Sequence, residues 1–322
     1  MDTESLFAIA ERCRSPAALA TLIEAQGHSY RKAGAAMLLT SRGKTVGSLS
    51  PGCLEADLAL KAEEAVTANR HAIAAYNLRP EEDAVWGEEI GCGGTLRVLL
   101  EPLTDELRSA LGEVVRSVRE GRGARLVRRL NGDRLAYEVR PSLIPVGSDT
   151  SRRDAETPFY ESLHYPSERL LIFGAGEEAA ATEELARGIG FRTIVADWRP
   201  ALCGPGRFPS SCTIVGDAAE IVAQLQVGKT DFVMLASHNL RRDKEMYDRI
   251  VPLRPAYLGI VGSKARIGRL LEGTAPPSFV KAPIGLPILA EGATEIAVSI
   301  AAELIEWRRR LRASYGEGRQ SP

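Results

Sequence analysis

The apolar pattern is sharpest between Leu170 and Pro200. A continuous apolar run, Leu170 to Phe173, breaks at Gly174-Ala175-Gly176 and gives way to an alanine-rich helical pattern that reaches Ile189. A second, β-branched run from Thr193 to Ala196 then ends on Asp197. Strand, glycine turn, helix and strand in this order make a β-α-β unit of about thirty residues. The scheme continues downstream. Thr213 to Val215 predicts a short strand, Asp217 caps a helix reaching about Gln226, and Asp231 to Ser237 predicts a fully buried strand ending at His238. Ala256 to Val261 predicts a further strand, which runs into Gly262-Ser263-Lys264 and another helix. After an irregular link at Pro283 to Pro287, a final helix spans about Thr294 to Arg310. Strands alternating with helices predict an α/β fold, here a C-terminal Rossmann-like doubly wound parallel sheet.

The N-terminal pattern is different and predicts a smaller α+β domain. Glu4 to Cys13 reads as an amphipathic helix. Ala17 to Ala25 fits a short helix or a buried strand, and the strand is favoured because a turn and a hairpin follow directly. That hairpin pairs Ala35 to Thr40 with Thr45 to Leu49. Ser50-Pro51-Gly52 then delivers Cys53 to the start of a helix continuing to about Ala68. A helix from Thr104 to about Glu120 precedes two strands, Arg125 to Leu130 and Leu135 to Val139, joined across Asn131-Gly132, the strongest short hairpin signal. From Val146 to Ser167 the periodicity is lost. The expected division is residues 1–145 for the N-terminal domain, 146–167 for a linker, 168–311 for the Rossmann-like domain and 312–322 for a tail.

Composition narrows the function classes. The chain has 322 residues, a hydrophobic fraction of 44% and a net charge of −1, so nothing global points to nucleic acid or to a membrane. No apolar run reaches the length of a membrane span and the first twenty residues lack a continuous apolar core, which predicts a cytoplasmic protein. Five cysteines, odd in number and without C-x-x-C or zinc-finger spacing, argue against a disulfide framework or a structural zinc.

Candidate chemistry gathers at two places. In the β-α-β unit, Gly174 and Gly176 make a tight turn that brings backbone N–H groups to a phosphate, and Asp197 stands where such a unit binds a ribose hydroxyl. His238 falls at the carboxyl edge of the sheet, either as a binding or proton-transfer group or as a satisfied polar residue. Gly262 and Ser263 form a second glycine-bearing turn on that edge, facing a phosphate or simply capping the next helix. The second place is the N-terminal pair of thiols. Cys53 meets the positive end of a helix dipole, which favours its thiolate, although a small buried residue would also suit that position. Cys92 sits among Gly91, Gly93 and Gly94, which leave it bare to the approach of something bulky with anionic oxygens.

These blocks resemble the XdhC/CoxI family, accessory proteins of molybdenum hydroxylases such as xanthine dehydrogenase. The likeness rests on G-H-S-Y-R-K-A-G-A-A-M-L at 27–38, G-S-L-S-P-G-C-L-E at 47–55, G-C-G-G at 91–94, F-G-A-G at 173–176 and V-A-D-W-R-P at 195–200. It continues through S-H at 237–238 and Y-L-G-I-V-G-S-K-A-R at 257–266. The resemblance implies a non-catalytic chaperone that binds the molybdenum cofactor, a molybdopterin, as cargo. It implies sulfuration with a cysteine desulfurase and delivery to a xanthine dehydrogenase-type molybdenum hydroxylase. It also marks Cys53 and Cys92 as contacts to the molybdenum end, in keeping with the softness of thiolates. The chain departs from the family wording at Pro51, Lys281 and 287–294. The alternative reading is an NAD(P)-dependent oxidoreductase in which Gly174, Gly176 and Asp197 hold the nucleotide. A homodimer is the default assembly for either.

Overall fold

The computed structural model describes residues 3–27, 29–40, 44–78, 94–142 and 158–312. The chain divides into two compact units, Met1–Pro166 and Ser167–Pro322. Among the described residues no helix is long and apolar enough to cross a membrane.

The first unit is built around β1 (Ala17–Gln26). It pairs antiparallel with β2 (Ala36–Thr40) and β5 (Thr95–Pro102), and β3 (Thr45–Val46) and β4 (Ala72–Asn77) close an antiparallel sheet of order β3-β2-β1-β5-β4. Both faces of this sheet are covered. Leu19 and Leu38 pack with Phe7 of α1 (Thr3–Arg12) and with Leu107, Leu111 and Val114 of α3 (Asp105–Arg119). Ala18, Ala20 and Leu22 pack on the other side with Leu58 and Ala62 of α2 (Glu55–Ala68). That double burial explains why Ala17–Ala25 shows no polar alternation: a strand buried on both faces reads as one apolar run.

A second, three-stranded sheet has the order β7-β6-β8. Its β6 (Gly123–Asn131) and β7 (Arg134–Ser142) form the hairpin expected at Asn131-Gly132, with Gly132 at φ +63°. The third strand, β8 (Tyr160–His164), lies inside the stretch read as a linker. Its inward residue is Ser162, whose hydroxyl accepts from Arg128 Nη1 at 3.2 Å and meets His164 Nε2 at 2.9 Å. The buried face of β8 is thus polar, so the strand carries no hydrophobic alternation.

The second unit is a six-stranded parallel sheet of order β11-β10-β9-β12-β13-β14. In chain order the strands are β9 (Arg169–Phe173), β10 (Arg192–Asp197), β11 (Cys212–Val215), β12 (Phe232–Leu235), β13 (Tyr257–Ile260) and β14 (Val280–Lys281). Numbered within the unit this is 3-2-1-4-5-6, the doubly wound order of dinucleotide-binding folds, and its direction switches between β9 and β12. One face is covered by α4 (Glu177–Gly188) and α8 (Gly292–Arg312), through Ala179, Ala186, Ile300 and Leu304. The other is covered by α5 (Ala218–Leu225), α6 (Leu240–Ile250) and α7 (Lys264–Leu270), through Ile221, Met246, Ile250 and Ile267. The strand expected over Asp231–Ser237 pairs only over Phe232–Leu235, which leaves Ala236, Ser237 and His238 as a turn at the working edge.

Candidate functional site

The switch point is framed by two short turns. After β9, Gly174 takes φ +106° and lies so near the end of β12 that an added Cβ would stand 2.4 Å from the Ala236 carbonyl oxygen and 2.6 Å from Ser237 Cα. Glycine is required there for close backbone packing. Gly176 is different: it caps α4 at φ −73°, and a Cβ on it would meet only Glu178 Oε2 at 3.7 Å and His238 Cδ2 at 3.8 Å. Ala179, in the third glycine position of the motif, is fully buried against the sheet.

His238 adopts φ +59° and its Nε2 lies 3.1 Å from Glu178 Oε2, with half of the imidazole side chain exposed. Gly174, Gly176 and His238 therefore adjoin, as their positions in the sequence suggested. Glu177 and Glu178 occupy the first turn of α4. Carboxylates there already complement the helix dipole and face whatever anion approaches it.

Asp197 ends β10 but does not present an open carboxylate. It is fully buried, and Oδ2 accepts from the Ala175 amide at 2.7 Å and from Arg199 Nη2 at 2.7 Å. Oδ1 accepts from Arg199 N at 2.8 Å and Arg199 Nε at 2.9 Å. Four bonds fill the lone-pair positions of a carboxylate. The ribose role expected of Asp197 therefore finds no open carboxylate: the acid ties the glycine turn to β10, and the guanidinium two residues on occupies its oxygens. Burial alone would raise its pKa, but hydrogen bonds from the Arg199 side chain and backbone and from Ala175 outweigh it and hold the carboxyl below the usual aspartate range. A depressed folded pKa contributes stability that is present above about pH 4 and lost as pH falls below it. Asp197→Ala is expected to cost about 2–3 kcal/mol at neutral pH and to flatten the loss of stability between pH 5 and 3. Thermal unfolding across that range checks both effects.

Gly262 and Ser263 sit one strand further along the edge. Gly262, at φ +148°, has the Arg266 side chain against it, and the Ser263 hydroxyl accepts from Arg266 N at 3.3 Å, which is the capping role. Arg266 in turn donates to Asp243, a fully buried carboxylate. Asp243 Oδ1 accepts from Ser237 Oγ at 2.5 Å and from Ser237 N at 3.3 Å. This chain of contacts joins the ends of β12 and β13 and fixes the residue before His238.

In the first unit, the turn before α2 is held by a clasp. Ser50 Oγ donates to Glu55 Oε2, Ser50 N donates to Glu55 Oε1 at 3.0 Å, and Ser50 Oγ accepts from Gly52 N and Leu54 N at 3.2 Å each. Gly52 takes φ +125° in open space, so the turn itself requires glycine there. Cys53 emerges half-buried from this clasp into a small pocket that it lines with Ser29, Tyr30, Pro51, Leu78 and Leu96. The Leu78 amide donates to the Gly94 carbonyl at 2.7 Å, so Gly94 adjoins the wall of the same pocket. Gly91, Cys92 and Gly93 lie outside the described residues. A different pocket of about 360 Å³, lined by Arg70, His71, Glu106, Arg134 and Tyr137 among others, opens at the far end of α2 from Cys53.

Comparison with known proteins bears on this geometry. Residues 170–304 match the profile described as the XdhC Rossmann domain, and residues 11–77 match that of the XdhC and CoxI family. A Bacillus subtilis (strain 168) protein named as a probable xanthine dehydrogenase subunit is 32% identical over 311 residues, covering 92% of this chain and 94% of that protein. The chain belongs to the XdhC and CoxI family. The molybdenum cofactor insertion chaperone PaoD of Escherichia coli (strain K12) is 28% identical over 302 residues, covering 91% of this chain and 83% of its own length. A crystal structure described as a xanthine dehydrogenase from Bacillus halodurans superposes with TM-score 0.85 at 34% identity, covering 100% of this chain and 98% of that one.

Two groups of this family member, Glu55 and the Ser237–Asp243–Arg266 link, escaped the reading of its sequence. Glu55, an acid in the first turn of α2, holds the cysteine turn. The Ser237–Asp243–Arg266 link joins residues from three elements and leaves no local mark. Arg199, by contrast, is marked by its place in D-W-R-P directly after the expected ribose acid, where the triplet Trp198-Arg199-Pro200 crowds the pocket, and its side chain folds back on Asp197.

Proposed function

We propose that this chain is an accessory protein that binds the molybdenum cofactor as cargo, supports its sulfuration together with a cysteine desulfurase, and inserts it into a xanthine dehydrogenase-type molybdenum hydroxylase. It acts as a cytoplasmic homodimer and performs no turnover of its own. The observation that carries this reading is the likeness, over 91% of the chain, to a protein named as a molybdenum cofactor insertion chaperone. The geometry supports it at the first unit. Cys53 is a free thiol on a rigid turn at a pocket mouth, and Cys92 precedes Gly94, which adjoins that pocket, by two residues in the sequence. Thiolates are suitable soft contacts for a metal–sulfur centre.

The NAD(P)-dependent alternative has less support. Asp197 is saturated by Arg199 and Ala175, and Glu177 and Glu178 occupy the helix turn where a pyrophosphate needs donors. Anaerobic titration with molybdenum cofactor is expected to show saturable binding. Cys53→Ala and Cys92→Ala should each weaken it at least tenfold, about 1.4 kcal/mol, while NADH and NADPH should not compete. Saturable nicotinamide binding without cofactor binding would overturn the proposal.

A further inference from the structure

Two guanidiniums meet one indole at the carboxyl edge of the parallel sheet. Trp198 follows β10, is half-buried, and packs its ring 5.9 Å from that of Phe173 at the end of β9. The Arg199 guanidinium lies 4.4 Å from the Trp198 ring centroid, and that of Arg242, in the first turn of α6, lies 5.5 Å from it. The arrangement holds two like charges against one aromatic surface, which is costly unless carboxylates or a visiting anion offset it.

The neighbouring carboxylates leave part of each fork open. Asp197 engages Nε and Nη2 of Arg199, and Glu245 engages Nη1 of Arg242 at 3.2 Å and also pairs with Arg241 at 3.5 Å. Asp217 is a further acid within electrostatic reach of Arg242. Among the described residues, Nη1 of Arg199 and Nη2 of Arg242 have no hydrogen-bond partner. The place also has a meaning in the fold. The end of the second strand of a doubly wound sheet is where a ribose and any phosphate on it are received, by an acid for the diol or by arginine for the phosphate. Here the acid is consumed internally and arginines remain.

We infer that Arg199 and Arg242, stacked on Trp198, form a clamp for a phosphate monoester. Planar guanidiniums held by an aromatic face are pre-organised to donate in pairs to phosphate oxygens. The clamp would also explain how an edge with acids at the opening of α4 still receives an anionic ligand: the phosphate docks beside β10 and not at α4. That the natural occupant is the phosphate of the proposed cargo rests on the chaperone reading; the clamp itself does not.

Calorimetric titration of the full chain with phenyl phosphate tests it, using Arg242→Gln because that change leaves the Arg199–Asp197 contacts in place. Wild type is expected to bind saturably, Arg242→Gln to bind at least tenfold more weakly, and Arg242→Lys, which keeps the charge without the fork, to fall between them with an unchanged melting curve. Absence of saturable binding to wild type, or equal binding by Arg242→Gln, overturns the clamp. Molybdopterin and the pair NADPH and NADH identify the source of the phosphate. Arg242-dependent binding of molybdopterin supports both the clamp and the cargo. Arg242-dependent binding of NADPH in preference to NADH, without molybdopterin binding, supports the clamp and sinks the chaperone reading. Molybdopterin binding that ignores Arg242 overturns the cargo's phosphate as the occupant of the clamp and leaves the chaperone reading standing.

Discussion

Gly174→Ala is expected to destabilise the parallel-sheet unit by about 3–5 kcal/mol. Its φ of +106° is costly for any residue with a Cβ, about 1–3 kcal/mol. The new methyl would also stand 2.4 Å from the Ala236 oxygen, 2.5 Å from its carbonyl carbon and 2.6 Å from Ser237 Cα. Those are backbone atoms and cannot swing aside. Overpacking of this kind adds about 1–3 kcal/mol. Relief by movement is blocked on both sides, because Gly174 N donates to Ala196 O at 2.8 Å and Ala236 N donates to Phe173 O at 2.7 Å. Gly176→Ala is the comparison. Its φ is ordinary and its new contacts are at 3.7 and 3.8 Å, so a change within about 1 kcal/mol is expected. Denaturant unfolding followed by circular dichroism separates the two, and equal losses would refute the packing argument. The first glycine of the motif then serves the fold, and the second leaves space beside His238.

Local signals made the Rossmann unit legible. Runs such as Leu170–Phe173, the glycines after them and the Asp217 cap each act within a few residues, and the parallel order follows from strands alternating with helices. The first unit was harder because β1 is buried on both faces and its apolar run suits either a helix or a strand. Strand β8 was missed since its inward residue is a serine answering a buried arginine. For the candidate site, the sequence located the turns and left their side-chain partners open. Asp197 is where a ribose acid belongs, but whether a carboxylate is open depends on what folds against it, and Arg199 does. Glu55 was visible as a helix-start acid, whereas its bonds to Ser50 depend on the path of the turn. Partner choice is a tertiary property that no short pattern encodes.

The arginine that Ser162 answers points to the second large effect. Arg128 and Glu101 are both fully buried, with Nε donating to Oε1 at 2.8 Å, and Arg128 also lies over the Tyr160 ring at 5.3 Å. Burial disfavours the Arg128 charge, but Glu101 more than restores it and the guanidinium stays protonated. Around the pair, burial raises the Tyr137 and Tyr160 hydroxyls above the usual phenol range. Burial and the Arg128 charge together bring His164, whose ring packs 5.0 Å from that of Phe7, down to about 3. One cation and one anion are therefore balanced among neutral groups. Removing either alone leaves a charge without compensation: Arg128→Met or Glu101→Leu is expected to cost about 3–5 kcal/mol. Since about 1 kcal/mol shifts the midpoint of a unit this size by roughly 2–4 °C, its Tm should fall by roughly 10 °C. The double variant should recover most of the loss, because two apolar side chains of similar volume need no compensation in that interior. Differential scanning calorimetry of the full chain decides the matter through the coupling between the two changes. Additive losses in the double variant would show that Arg128 and Glu101 do not act as a pair.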